Sequence, residues 1–156
     1  MSSQAISARA RQRGLAMVEL AIALPLLLLL LLALGEIGRM LFQYNSLLQA
    51  SRDASRFVAG QAWNRTLGQI ELSAGMIDQA RTLAVYGAPV LQAGSEPLVS
   101  GLSTSQVSVS ALGSNHVQVS ISYTFQPLIG SGLPNFGSGG ATLGFPLVAT
   151  TVMRAL

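Results

Sequence analysis

The chain contains no cysteine. This absence excludes a disulfide framework, a thiolate metal site and a cysteine nucleophile. Lysine is also absent, and the 9 basic residues are arginines scattered along the chain. A nucleic-acid-binding domain usually carries a clustered basic face with aromatic platforms, so we expect no nucleic-acid partner.

Residues suited to catalysis or metal binding are also scarce. The single histidine, His116, lies beside a predicted turn, where a solvated residue is far more common than a general base. Glu71 and Asp78 have no histidine or cysteine close to them in sequence. We therefore expect both acids to lie on the solvated face of the predicted second helix. We therefore predict no catalytic residue, no metal site, no cofactor and no enzyme activity.

Hydrophobic residues make up 50% of the 156 positions and charged residues only 10%. No charge occurs from Leu20 to Leu34, and Leu26 to Leu32 is an unbroken leucine run. A stretch of about 20 apolar residues is long enough to cross a hydrocarbon core. The leucines contribute about −0.5 kcal/mol each, which outweighs the cost of at most about 3 kcal/mol for one acid, Glu19, near the edge. The length predicts one transmembrane helix and one small domain.

The residues before this helix have a recognisable order: Arg9, Arg11 and Arg13, then Gly14, then Glu19. This order resembles the leader of the type IV pilin superfamily, in which a membrane peptidase cuts after the glycine and the glutamate becomes the fifth mature residue. The resemblance implies processing between Gly14 and Leu15. It also implies a role for Glu19 in assembly, because this acid is thought to compensate the new α-amino group of its own or a neighbouring subunit.

Three later segments narrow the resemblance: Gly-Glu-Ile-Gly-Arg at 35–39, Asn45, and Ala-Ser-Arg-Asp-Ala-Ser-Arg at 50–56. They look like the TadE-like pseudopilins of bacterial tight-adherence secretion systems. This resemblance implies a structural or assembly component of a type IVc-like pilus. The implied partners are the inner membrane, a prepilin peptidase, other pilin and pseudopilin subunits, and secretion platform proteins.

Glu36 and Arg39 stand at helical spacing near the end of the apolar segment. An ordinary interfacial ion pair would contribute a few tenths of a kcal/mol, roughly 0.2–0.5. The alternative, which rests on the resemblance and on the cost of charge near hydrocarbon, is a pair that sets the registry between subunits.

The flanking charges predict the orientation of the helix. The three arginines before it are unopposed, whereas Arg39, Arg52 and Arg56 occur with Glu36 and Asp53. Because arginine is retained on the cytoplasmic side, we expect a cytoplasmic N-terminus and an extracytoplasmic C-terminal head. Removal of residues 1 to 14 would also take away 3 of the 9 arginines, leaving 6 against 6 acids.

We predict an α+β membrane-anchored protein in four parts. Residues 1–14 form a prepilin-type leader without regular structure, 15–38 a transmembrane helix, 39–60 its extracytoplasmic continuation, and 61–156 a small head. The pattern from Arg39 to Ala59 is amphipathic, with one apolar side and one charged side.

The head should contain a short helix followed by a small antiparallel sheet. Thr66-Leu67-Gly68-Gln69 has the form of a capping box, so the helix should begin there and stop at Gly87 and Pro89. Strict alternation in 107–111 and 117–125 predicts a hairpin. Its core-facing residues would be Val107, Val109, Val117, Val119, Ile121, Tyr123 and Phe125. Residues 130–144 are rich in Gly, Ser and Pro, which suggests a loop. Leu147 to Met153 is rich enough in β-branched residues to predict a returning strand.

An exported protein is the main alternative. Ala33-Leu34-Gly35 has small residues where signal peptidase cuts, and cleavage before Glu36 would release a soluble binding domain. Against this, an ordinary signal sequence has an apolar region of about 7–15 residues and no internal acid. A permanently anchored envelope protein is a further alternative.

Overall fold

The structure, a computed structural model, describes residues 3–128 and 144–155, with the backbone alone for residues 3–15. The chain divides into two compact units, Met1–Gly38 and Arg39–Leu156. The described residues form an α+β protein with one long N-terminal apolar helix, a second short helix and small antiparallel sheets, which confirms the predicted fold class.

Helix α1 spans Ser3–Ala59 and runs through Pro25. It begins earlier than we predicted, because residues 3–13 are helical and not irregular. The reason is local, since Ala, Gln and Arg are good helix formers and this stretch has no Pro or Gly to interrupt it.

In the second unit, α1 is amphipathic as predicted. Its buried stripe repeats at every third or fourth position and consists of Leu47, Ala50, Ser51, Ala54, Ser55 and Val58. The opposite side is exposed and carries Gln49, Arg52, Asp53 and Arg56. Four of the six buried residues are alanine or serine, so the backbone of this helix can approach the sheet closely.

A three-stranded antiparallel sheet forms the other side of this core. Its order is β3 (Val107–Leu112), β4 (His116–Thr124) and β5 (Pro146–Arg154), with β4 in the centre. Val117, Val119, Ile121, Tyr123 and Phe125 are buried, and Ser122 is exposed, so the predicted hairpin and its core face are confirmed. The predicted returning strand is also confirmed as β5. Most of the loop suggested at 130–144 lies outside the described residues.

The second helix, α2, spans Ala74–Tyr86 and begins eight residues later than we predicted from Thr66. Residues 63–70 instead form a short hairpin of β1 (Trp63–Asn64) and β2 (Gln69–Ile70). The side-chain carbonyl of Asn64 accepts the N–H groups of Thr66 and Leu67 at 2.9 and 3.1 Å. Gly68 supplies the positive φ of 63° that the turn needs.

Ser73 is the N-cap of α2, since its hydroxyl accepts the N–H of Met76 at 3.3 Å. The end of the helix is where we predicted it, because Gly87 closes α2 in the left-handed conformation. From α2, Ala84 and Val85 enter the core that contains Leu47 of α1 and Ile121 of β4. The second unit thus has a hydrophobic core of its own.

Candidate functional site

From Ala16 to Leu34, helix α1 exposes apolar side chains on all sides, apart from Glu19. Its large exposed side chains include Met17, Ile22, Leu26, Leu31 and Leu34. In the most apolar window of α1, none of the residues is buried within the chain. The described residues contain one helix long and apolar enough to cross a membrane, judged by length and composition. A helix that is hydrophobic all round needs apolar surroundings, either protein or lipid.

Glu19 lies on this helix and is exposed. It is the only charged residue between Arg13 and Glu36. The backbone of Gly14 and Leu15 is part of α1, so Glu19 follows Leu15 by about one helical turn, roughly 6 Å along the axis. The geometry is compatible with the predicted processing and assembly roles of Gly14, Leu15 and Glu19, which stay predictions.

Arg39 is the first residue of the second unit and is half-buried. Its guanidinium lies over the ring of Phe125, 4.7 Å from the ring centroid. It also donates a hydrogen bond to the backbone carbonyl of Gln126. Arg39 therefore fixes the start of the head's helical segment to the end of β4. The registry pair with Glu36 stays a prediction.

Two buried serines connect α1 to the sheet, and sequence reasoning did not single them out. The Ser51 and Thr151 hydroxyls lie 2.8 Å apart, and the Ser51 hydroxyl also lies 2.9 Å from the carbonyl of Leu48. The Ser55 hydroxyl donates to the carbonyl of Thr151 at 3.3 Å. The sequence did contain a signal for this contact. Small residues recur at helical spacing at Ala50, Ser51, Ala54 and Ser55, and such spacing permits close packing of a helix.

The remaining titratable residues are dispersed over the surface of the head. His116 is exposed at the start of β4. Glu71 lies outside α2, contrary to our prediction, and accepts a hydrogen bond from the Asn64 amide at 2.7 Å. Asp78 is on α2 and pairs with Arg81 at 3.5 Å. In residues 3–128 and 144–155, no group of three His, Cys, Asp or Glu side chains could hold a metal ion.

An open groove of about 380 Å³ lies between α1 and the end of α2. Phe42, Leu83 and Leu98 supply apolar walls, and among the described lining residues Asp53 is the one that titrates.

Residues 14–56 match the family model described as TadE-like protein. The chain carries a TadE-like domain. No curated protein and no solved structure matches the chain.

The TadE-like domain begins at Gly14 and ends at Arg56, so it lies within α1. It includes Glu19, Glu36 and Arg39, together with the part of the buried stripe from Leu47 to Ser55. The sheet itself and α2 lie outside the matched residues. The match therefore covers the apolar helix and one wall of the head's core.

TadE-like proteins are structural pilus components and not an enzyme family. The TadE-like domain supports a minor-pilin-like role associated with a tight-adherence pilus. The single N-terminal apolar helix fits a single-pass membrane anchor. A membrane-anchored pilus component associates with the membrane and with other pilus subunits.

Proposed function

We propose that this chain is a minor pilin or pseudopilin of a tight-adherence pilus, processed by a prepilin peptidase between Gly14 and Leu15. The observation that carries the proposal is the coincidence of three features in one helix. The TadE-like match starts at Gly14, Glu19 follows five residues later, and the apolar surface begins at the same point.

The apolar helix would store the subunit in the inner membrane and later pack against the helices of other pilins. Its all-round apolar surface supports this use, because no side of it is reserved for the chain's own core. The unopposed arginines before it favour a cytoplasmic N-terminus and an extracytoplasmic head.

Glu19 would act in assembly. Cleavage after Gly14 creates an α-amino group at Leu15, and two opposite charges attract far more strongly in a low-dielectric environment than in water. The carboxylate stands about one turn, roughly 6 Å, from that amine, so it can offset the charge in its own subunit or in a neighbour. Glu36 and Arg39 would set the registry between neighbouring subunits where the helix leaves the bilayer.

The exported-protein alternative differs in its mature N-terminus and in its release from the membrane. Cleavage before Glu36 would leave the whole second unit, Arg39–Leu156, intact. A folded head is therefore expected under either reading, and the mature N-terminus separates them directly.

N-terminal sequencing of the protein from cells with a tight-adherence system tests the proposal. We expect a mature chain that begins at Leu15. A start at Glu36 would establish the exported protein, and a start at Met1 or Ser2 would leave a permanent membrane anchor.

Two glycine variants form a matched pair for this experiment. Gly14→Val places a branched side chain at the proposed cleavage site and should block processing. Gly35→Val makes the same change before Glu36, where an added Cβ meets nothing within 4 Å, and should be processed normally. The reverse result would refute cleavage after Gly14.

A further inference from the structure

We propose that the head rests one of its two ends in the lipid headgroups, where apolar side chains from three separate chain segments contact the bilayer. The inference rests on the membrane anchor of the proposed function, and not on its processing. We call the end of the second unit that contains Arg39, Phe125 and Phe145 the anchor end. The far end contains Ala59 and the turn between β3 and β4.

The ends of two strands lie at the anchor end. Directly after β4, the ring centroid of Phe125 is 4.7 Å from the Arg39 guanidinium. Directly before β5, the carbonyl of Phe145 accepts the N–H of Phe125 at 2.9 Å. Phe145 is 49% exposed, although its side chain is large and apolar. The sheet therefore has an exposed aromatic residue beside the point where α1 enters the second unit.

The end of α2 lies on the same side. Gly87, which closes α2, and Leu98 line a groove together with Phe42, which follows Arg39 on α1 by about one turn. The loop between Gly87 and Leu98 leaves and rejoins the head here, because the N–H of Leu98 donates to a carbonyl in the last turn of α2. Phe42 is 72% exposed, and Val90 in this loop is 64% exposed.

Charges are distributed in the opposite way. No charged residue occurs on α1 between Arg39 and Arg52. Among the described residues at the anchor end, the charged ones are Arg39 and Glu96. The last turn of α1, the β1–β2 hairpin with the residue that follows it, the first half of α2 and the end of β5 carry Arg56, Arg65, Glu71, Asp78 and Arg154. The head thus has a charged far end and an apolar anchor end.

The connection to the apolar helix brings the anchor end to the bilayer. The apolar run of α1 ends at Leu34, and the five residues from there to Arg39 span about 7.5 Å as a helix. Even fully extended, they would reach at most about 17 Å. The headgroup region is about 5–7 Å thick on each side of the hydrocarbon core. The anchor end therefore lies in or next to the headgroups, where apolar side chains can be buried at the boundary with the acyl chains.

Site-specific fluorescence of the full-length chain in liposomes tests the proposal, since the natural chain has no cysteine. Phe145→Cys, labelled with an environment-sensitive fluorophore, reports the anchor end. Leu112→Cys is the matched control, because Leu112 is also 49% exposed but stands opposite His116 at the far end. From His116 to Phe125, β4 rises by roughly 30 Å at about 3.3 Å per residue, which separates the two labels.

Reconstitution at fewer than one chain per vesicle on average excludes contact between copies. Lipids with a spin label close to the headgroups should then quench the fluorophore at position 145 several-fold more strongly than the one at position 112. A fluorophore at position 145 that these lipids do not quench, whether it lies in water or is covered by protein, would overturn the proposal. Val90→Cys should behave like Phe145→Cys and provides the same comparison at a second site of the anchor end.

An added charge tests whether the segments of the anchor end act together. Phe145→Glu in the Val90→Cys background should lower lipid quenching at position 90 several-fold, because an acid is costly near hydrocarbon. Leu112→Glu in the same background is the control and should leave quenching unchanged. Fluorescence of Trp63 during denaturation checks that both variants stay folded. The proposal is wrong if Phe145→Glu lowers quenching no more than Leu112→Glu does.

These measurements are independent of processing, because they use the uncleaved chain. A quenched fluorophore at position 145 in a chain that cells never cut after Gly14 would support this inference and refute the proposed processing. An unquenched fluorophore in a chain that cells do cut after Gly14 would do the reverse.

Discussion

The two units of this molecule use the same secondary structure in opposite ways. Between Leu20 and Leu34 the helix directs large leucines to all sides, whereas between Leu47 and Val58 it directs small residues to one side. Leucine on every face suits a helix surrounded by apolar material. Alanine and serine on one face suit a helix packed closely on a sheet. The first unit therefore leaves its large apolar side chains exposed, whereas the second buries its own within the chain.

The largest effect should come from Glu19→Leu, which removes the one charge from the exposed apolar helix. Insertion should not suffer, because the segment becomes more hydrophobic. Assembly should fail, because loss of one member of a buried pair leaves the other uncompensated, at about 3–5 kcal/mol. Comparison of membrane and sheared fractions measures both properties.

Glu96→Leu is the matched control for this variant, since Glu96 is an exposed acid of the second unit. It should enter the sheared fraction normally. If Glu19→Leu did the same, Glu19 would be only a tolerated acid. The main physical reason for calling this helix a pilin helix, and not a simple membrane anchor, would then be removed.

A second prediction applies one substitution to both units. Leu47→Ala removes a fully buried side chain and should lower the unfolding free energy of the head by about 2–5 kcal/mol. Leu28→Ala, at a position 50% exposed, should change it by no more than about 0.5 kcal/mol. The single tryptophan, Trp63, lies in the head, so its fluorescence during denaturation of the full chain in micelles reports this unit. Equal shifts would mean that the two units do not unfold separately.

A smaller effect is expected at the buried contact of Ser51 with Thr151. A double-mutant cycle of Ser51→Ala and Thr151→Val should give a coupling of about 0.5–1.5 kcal/mol. Ser120 and Thr150 provide the comparison, because their hydroxyls are 2.7 Å apart on the outer face of the sheet, where water can replace the lost bond. Their coupling should be near zero, and equal couplings would show that burial is not what stabilises the inner pair.

The smallest effect should come from Arg39→Lys. This variant keeps the charge but loses the planar group over Phe125, so the head should lose about 0.5–1 kcal/mol. Arg52→Lys is the control on the exposed side of the same helix and should leave the thermal midpoint unchanged. A midpoint shift of the same size in both variants would exclude a specific contribution from the ring contact.

The parts of the fold that were predicted correctly are those with long, regular sequence patterns. The hairpin strands alternate strictly over residues 107–111 and 117–125, and a shift of one residue would turn every valine outward. The amphipathic part of α1 is uninterrupted by Pro or Gly. The apolar segment is equally clear from composition alone.

The error at the start of α2 falls where short-range hydrogen bonds compete. Thr66 and Ser73 both resemble helix caps, and the choice between them depends on Asn64, whose side chain satisfies the N–H groups that a helix start at Thr66 would need. The contact of Ser51 with Thr151 could not be predicted because it joins residues 100 positions apart. The placement of Phe42, Val90 and Phe145 at one end of the head likewise depends on the strand order and the direction of α2, which no local pattern reveals.

The position of β5 also has a consequence for the order of events during synthesis. The helical stripe of α1 is made first, yet the strand whose Thr151 meets Ser51 follows every other described element. Contacts so far apart in sequence give the head a high contact order, which slows folding. A nascent head should therefore stay open until β5 leaves the ribosome, and a chain that loses this strand to proteolysis should lose the folded state with it.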